Sequence, residues 1–275
     1  MTQASALEPF LVRWKLTPDG PAQQTQTAFV QFVRRGEQRL ALKLVTHDDE
    51  AGQRAALAHF AGRSCVRLID WEGQAMVMER AWPGTPLARL VREGRDDEAT
   101  AVACEVMAGL HAQPAPPPDG LRSVESWGRG FERARLAAIK HGVEPELIDR
   151  AQLLYGELCA SQARRVLLHG DLQHFNILAD DQRGWLAIDP KGVAGEPAFE
   201  AGALLRNPVG ELALFASPAI VARRTAILAE RLDVDPLRIL GWAFSQAVLS
   251  ALWSVEDGGE PGQGVATARA CLPLL

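Results

Sequence analysis

Leu167-Leu168-His169-Gly170-Asp171-Leu172-Gln173-His174-Phe175-Asn176-Ile177-Leu178, with Trp185-Leu186-Ala187-Ile188-Asp189-Pro190-Lys191-Gly192 close behind, is the stretch on which the fold turns. A short apolar run reads as a strand and delivers Asp171. A loop then delivers Asn176, five residues later. A hairpin turned through Asp180-Asp181 and Gly184 brings in a second apolar run that ends on Asp189. Phosphoryl transfer asks for such a set, because the protein does little covalent work and must mainly position groups and neutralise charge. Mg²⁺ prefers hard oxygen ligands and takes one or two protein groups besides the phosphates of its substrate. Asn176 and Asp189 are therefore the expected metal ligands. Asp171 is expected to accept a hydrogen bond from an acceptor hydroxyl and orient it for in-line attack. Turn chemistry alone places Asp and Asn in hairpins. It does not account for His-Gly-Asp directly after an apolar strand. His169 reads as a packing residue that bonds the backbone.

Composition sets the frame around that stretch. The 275 residues are 47% apolar and 23% charged, which suits one large domain or two lobes with a cleft. A net charge of −5, with basic residues scattered in short pairs such as Arg34-Arg35 and Arg164-Arg165, argues against a nucleic-acid partner. It suits a cationic small molecule better. Met1 to Trp14 lacks the basic start and apolar run of a signal peptide. Ile239 to Trp253 is too short to span a bilayer and is interrupted by Ser245, Gln246 and Ser250, so no membrane association is expected. Cys65, Cys104, Cys159 and Cys271 are widely separated and have no metal spacing, which implies reduced thiols and a cytoplasmic protein.

Along the chain, the first eighty residues read as strands with one helix. Leu11 to Leu16, Ala28 to Val33 and Leu40 to Val45 are strand-like, and Asp48-Asp49 starts a helix over Ala51 to Ala61. Val66 to Asp70 and Ala75 to Met78 form a hairpin turned at Glu72-Gly73. Pro83-Gly84-Thr85-Pro86 reads as a break, after which helices dominate: Glu98 to His111, Ser123 to Lys140, Pro145 to Ser161, Pro218 to Leu232 and Pro236 to Trp253. Short strands at Val166 to Leu168, Asn176 to Leu178 and Trp185 to Ile188 interrupt them. The expected layout is a β-rich lobe over 1–78, a hinge over 79–86 and a helical lobe over 87–275.

The loop from His169 to Asn176 resembles the kinase motif H-R-D-L-x-x-x-N with its downstream metal-binding Asp. More closely, the chain is similar to the aminoglycoside/hydroxyurea phosphotransferase family, which includes streptomycin phosphotransferases. The resemblance rests on His-Gly-Asp-Leu-x-x-x-Asn, Ala187-Ile188-Asp189-Pro190-Lys191-Gly192, Gly195-Glu196-Pro197 and Leu204-Leu205-Arg206-Asn207-Pro208. Asp49-Glu50-Ala51 and Trp253 to Gly258 agree more weakly. It implies a two-lobed α+β fold of the protein-kinase type, with ATP (or GTP) and Mg²⁺ as cofactors. The implied acceptor is a small molecule: streptomycin or a related aminoglycoside, with hydroxyurea or another metabolite as alternatives. Pro190-Lys191 stands where protein kinases have Phe-Gly. Proline fixes φ and removes a donor, so a flipping activation segment is not expected.

Given that loop, Lys43 in the apolar strand Leu40 to Val45 is the expected ligand of the α/β-phosphates. Glu50 is its expected partner, in competition with Asp48 and Asp49. Lys191 either neutralises phosphate or pairs with a neighbouring carboxylate. Met78 to Ala81 falls where the family holds adenine through backbone groups, which singles out Glu79 and Ala81. No G-x-G-x-x-G exists; Thr17-Pro18-Asp19-Gly20 and Thr25-Gln26-Thr27 are the candidates for touching phosphate, with an ordinary polar hairpin as the equal alternative. Glu256 and Asp257, with Glu260, Glu196 and Glu200 behind them, are the candidate carboxylates for a cationic acceptor; the competing expectation is a solvated acidic surface. An idle nucleotide-binding scaffold is the rival to a kinase, and the intact set Lys43, Asp171, Asn176 and Asp189 argues against it.

Overall fold

The computed structural model describes residues 3–25, 27–46, 51–113 and 115–275. The first helix is α1 (Gln3–Arg13), so Leu11 to Leu16, expected as a strand, is the last three residues of a helix and the turn that follows it. Leu7, Leu11 and Trp14 recur at helical spacing and are all buried, which is why helix wins over alternation here. Their partners are Val33, Leu40, Leu42, Ala75 and Val77 on one face of a sheet.

That sheet contains β1 (Thr17–Pro18), β2 (Gln23–Gln24), β3 (Ala28–Arg35), β4 (Gln38–Val45), β5 (Leu68–Glu72) and β6 (Ala75–Glu79). The order is β1-β3-β4-β6-β5, with β2 also against β3. Register pairs Lys43 with Val30 on one side and Met76 on the other. Strand side chains alternate between faces. With Leu40 and Leu42 committed to α1, Lys43 is therefore turned to the opposite face, where α2 (Ala51–Phe60) packs. Asp48, Asp49 and Glu50 lie outside the described residues.

After β6 the chain runs into β7 (Pro83–Pro86), which the sequence suggests as a mere break. It is a strand because it pairs with β10 (Ile177–Asp180), whose other neighbour is β11 (Gly184–Ala187). The helical region holds α3 (Ala88–Arg92), α4 (Asp96–His111), α5 (Val124–Gly128), α6 (Gly130–Lys140), α7 (Pro145–Ala160), α8 (Ala201–Leu205), α9 (Pro218–Leu232), α10 (Pro236–Glu256) and α11 (Gly262–Cys271). A further small sheet has the order β8-β12-β9, from β8 (Arg122–Ser123), β9 (Val166–Leu168) and β12 (Val193–Gly195). The helix expected over Ser123 to Lys140 is two helices, broken at Gly128-Arg129-Gly130, where helix propensity is poor.

The spine of this region is α10, nearly all of it buried from Ile239 to Leu252. An aromatic cluster of Tyr155, Phe199 and Trp242, with ring centroids 5.0 to 6.3 Å apart, ties α7 and α10 to the segment after β12. Among the described residues no helix is long and apolar enough to cross a membrane. The four cysteines are free thiols.

Candidate active site

β9 ends at Leu168, and the next residues turn sharply because Gly170 adopts φ +86°. A side chain there would meet Val193, Trp127 and Lys191, so glycine is required both by conformation and by space. The turn is held from below by Glu200, which is 1% exposed. One carboxylate oxygen accepts from His169 N–H at 2.7 Å and the other from Gly170 N–H at 2.9 Å. His111 Nε2 stands 3.5 Å from the same carboxylate. Burial alone would raise the Glu200 carboxyl, but the His111 contact, nearby His169 and the Gly170 N–H outweigh it and hold the group below its ordinary range. His169 donates from Nε2 to Ile188 O at 2.8 Å and accepts from Asp171 N–H at Nδ1, so its ring splices the two halves of the site.

Asp171 follows directly. Asn176 Nδ2 donates to its carbonyl at 2.8 Å and to its Oδ2 at 3.2 Å. Because the Asn176 nitrogen is engaged twice, its Oδ1 is the atom left with free lone pairs. Burial pushes the Asp171 carboxyl above its ordinary range, while Arg206, His169 and Lys191 work against that shift.

β11 runs on to Asp189, which sits in the left-handed region at φ +61°. Lys43 Nζ reaches Asp189 Oδ1 at 2.5 Å, and Gln53 Nε2 reaches the same oxygen at 2.5 Å. Burial opposes ionisation of Asp189, but Lys43 and Lys191 overcome it and keep the carboxyl below its ordinary range. The structure thus brings Lys43 and Asp189 together across 146 positions of sequence. Gln53 was not foreseen. The signal was present, since Gln53 shares a buried stripe at helical spacing with Ala56, Leu57 and Phe60. Its Oε1 is buried without a partner. Hard oxygens from Asn176 and Asp189, with this orphaned amide oxygen beside them, form a donor set that fits Mg²⁺, and the adjacent Lys43 supplies positive charge for phosphate.

The remaining candidates fall as follows. Lys191 N–H donates to His169 O at 2.7 Å, and its positive charge acts on both Asp171 and Asp189. Gly52 of α2 touches the segment after Asp189: a Cβ on it would lie 2.2 Å from Lys191 O, and one on Gly192 would lie 2.7 Å from Gly52 O. Glu79 ends β6, its side chain accepting from Arg67 N–H at 3.0 Å and pairing with Arg183. Ala81 is buried beside it. Thr25 Oγ1 is spent on a turn with Ala28, and Gln26 lies outside the described residues. Glu196 and Glu200, considered for the acceptor, are buried structural groups. Glu196 accepts from Arg238 at 2.7 and 2.9 Å and from the Trp242 indole. Glu256 is the last residue of α10 rather than a residue beyond it, and it is ion-paired with Arg133. Asp257 closes that helix and is exposed.

Comparison with known proteins agrees with this geometry. A family model described as aminoglycoside/hydroxyurea antibiotic resistance kinase matches residues 13–258. The chain is 34% identical to the streptomycin 3''-kinase of Klebsiella pneumoniae over 254 residues, covering 90% of this chain and 91% of that protein. It is 36% identical to the hydroxyurea phosphotransferase of Kitasatospora aureofaciens over 280 residues, covering 96% and 77%. Among solved structures, a thermostable mutant of aminoglycoside phosphotransferase APH(4)-Ia in ternary complex with AMP-PNP and hygromycin B matches with TM-score 0.66. That match covers 96% of this chain and 98% of the other, and at 16% identity it speaks for the fold alone.

Proposed function

Because the chain belongs to the aminoglycoside/hydroxyurea antibiotic resistance kinase family, we propose that it moves the γ-phosphoryl group of ATP to a hydroxyl of streptomycin or a related aminoglycoside. The observation that carries this is the pairing of Lys43 with Asp189 beside Asp171 and Asn176, four groups that phosphoryl transfer needs and that an idle scaffold does not. Residues 1–78 form the nucleotide lobe in this proposal, 79–86 the hinge, and 87–275 the lobe that receives the acceptor. Adenine lies against the backbone of Glu79 and Ala81.

Lys43 holds the α/β-phosphates, exchanging its contact with Asp189 for them, while Gln53 keeps the Asp189 carboxylate in place. Asn176 Oδ1 and Asp189 would hold Mg²⁺, which would supply charge neutralisation at the phosphates. Lys191 adds a second positive charge on the same side. Asp171 accepts the hydrogen bond of the acceptor hydroxyl and takes its proton as the acceptor oxygen bonds to the γ-phosphorus and the bond from that phosphorus to the β–γ bridging oxygen breaks, releasing ADP. Ammonium or guanidinium groups of the acceptor meet Glu256 and Asp257. Hydroxyurea is the second acceptor to consider, on the strength of the 36% identical relative.

The test is a panel of streptomycin, other aminoglycosides and hydroxyurea with Mg²⁺ and ATP, read by ADP release and by ³¹P NMR of the product. Streptomycin should be phosphorylated. Asp171→Asn should lower kcat roughly 10²–10⁴-fold while AMP-PNP affinity stays near wild type. Wild-type turnover by that variant would remove Asp171 from the role. A wild type that phosphorylates none of the panel would overturn the acceptor.

A further inference from the structure

The Leu204-Leu205-Arg206-Asn207-Pro208 segment carries family resemblance, and none of its residues is among those assigned to metal, phosphate or acceptor. It spans the end of α8, and its arginine, the first residue past the helix, faces the catalytic loop. Arg206 Nη2 is 3.8 Å from Asp171 Oδ1, with the arginine side chain only 12% exposed. From behind, Arg206 Nη1 donates to Gln246 Oε1 at 3.2 Å, and Gln246 is itself anchored to Phe199 O. Gln263 on α11 donates to the Arg206 carbonyl at 3.0 Å.

The backbone on both sides of Arg206 is pinned by a second, fully buried arginine. Arg224 of α9 donates to Leu204 O at 3.2 Å, to Asn207 O at 2.8 Å and to Leu214 O at 3.1 Å. Its charge is balanced by Asp96 of α4 at 2.6 Å. Asn207 Nδ2 donates to Ala203 O at 2.7 Å, closing the same turn. Three carbonyls are thus drawn toward Arg224, and the segment has one way to present Arg206.

We propose that Arg206 is the positioning residue of Asp171: it holds Oδ1 by charge while Asn176 holds Oδ2 by a hydrogen bond, fixing the carboxylate in the orientation that meets the acceptor hydroxyl. This rests on Asp171 being the group that receives that hydroxyl. The distance matters. At 3.8 Å the guanidinium attracts Oδ1 without forming a hydrogen bond to it, so the lone pairs of Oδ1 stay available to the acceptor. A closer arginine would compete with the substrate, and an absent one would leave the side chain free to rotate. Misplacement of a reacting group by about 1 Å costs on the order of 100-fold in rate.

The experiment compares Arg206→Gln and Arg206→Lys with wild type in kcat, in KM for ATP and streptomycin, in AMP-PNP affinity and in Tm. Hydrolysis of ATP by water is a parallel readout that needs no acceptor. Arg206→Gln should lower kcat about 100-fold and leave KM for ATP within about twofold, with Lys restoring much of the loss. In an Asp171→Asn background, removing Arg206 should change the residual rate by less than about threefold, because the group it positions is already gone. A kcat within about threefold of wild type, or full multiplication of the two losses, overturns the proposal. If Arg206→Gln does not fold, Gln246→Ala, which frees the guanidinium from behind, should lower kcat with an unchanged KM for ATP; an unchanged kcat overturns the proposal equally. An active wild type with an indifferent Arg206 refutes this inference alone. A wild type that neither transfers nor hydrolyses refutes the role of Asp171 with it.

Discussion

Replacing Glu200 with Ala should damage the catalytic loop without touching any group that meets substrate. The carboxylate accepts from two buried backbone N–H groups, at 2.7 and 2.9 Å, and is 1% exposed. Hydrogen bonds to a charged group contribute about 1.5–3 kcal/mol each, so losing both costs about 3–6 kcal/mol, reduced where water enters the space left behind. For a chain of this length 1 kcal/mol corresponds to about 2–4 °C in Tm, so a fall of about 10 °C is expected. Scanning calorimetry measures that fall, and hydrogen exchange should locate faster exchange at His169 and Gly170. The sign of the pH dependence follows from the direction of the Glu200 shift. A carboxyl held below its ordinary range contributes stability that is complete above the unfolded value, near about 4.3, and is lost as pH falls through the folded value. The gap between wild type and Glu200→Gln should therefore narrow only as the pH drops below about 4. A Tm within about 2 °C of wild type, with unchanged exchange at Gly170, would refute the anchoring role.

Asp189→Ala should weaken Mg²⁺-dependent AMP-PNP binding by at least about tenfold in titration calorimetry, and an unchanged affinity would remove Asp189 from the metal site. Gly192→Ala should destabilise by about 2–3 kcal/mol in urea melts, since φ +70° disfavours a side chain and the new Cβ would meet Gly52 O at 2.7 Å; a neutral variant would mean α2 gives way easily. Burial pushes the Cys65, Cys159 and Cys271 thiols to about 12 and Cys104 to about 11. At pH 8 the folded protein should react only slowly with a disulfide reagent and yield four thiols on unfolding; fast native reaction of Cys65 or Cys271 would contradict their burial.

Asp171, Asn176 and Asp189 stand out in the sequence as candidates because the loop that carries them is nearly contiguous, so their spacing is itself the signal. Lys43 stands out for a related reason, since a lone charge in a short apolar strand invites a functional explanation once that loop is known, and its contact with Asp189 appears only in the tertiary structure. Reading Leu11 to Leu16 as a strand failed because six residues of alternation look alike in either structure. The buried Leu7 one turn earlier decides for helix. Pro83 to Pro86 gives no local strand signal at all, and becomes one only because β10 offers hydrogen bonds to it.

Local sequence therefore determined the chemistry available to this protein and the two-lobed plan that presents it, since both follow from short-range patterns of apolar residues, turns and hard oxygen donors. The tertiary structure decided which charges are used for what. Glu196 and Glu200 look like any acidic residues after a turn, yet burial under α10 and the catalytic loop turns them into struts. Arg206 and Arg224 read alike on paper. One reaches Asp171 and the other closes on Asp96 and three carbonyls. The physical reason is that a charge takes its role from the partners and the dielectric around it, and those are assembled from segments up to 146 positions apart.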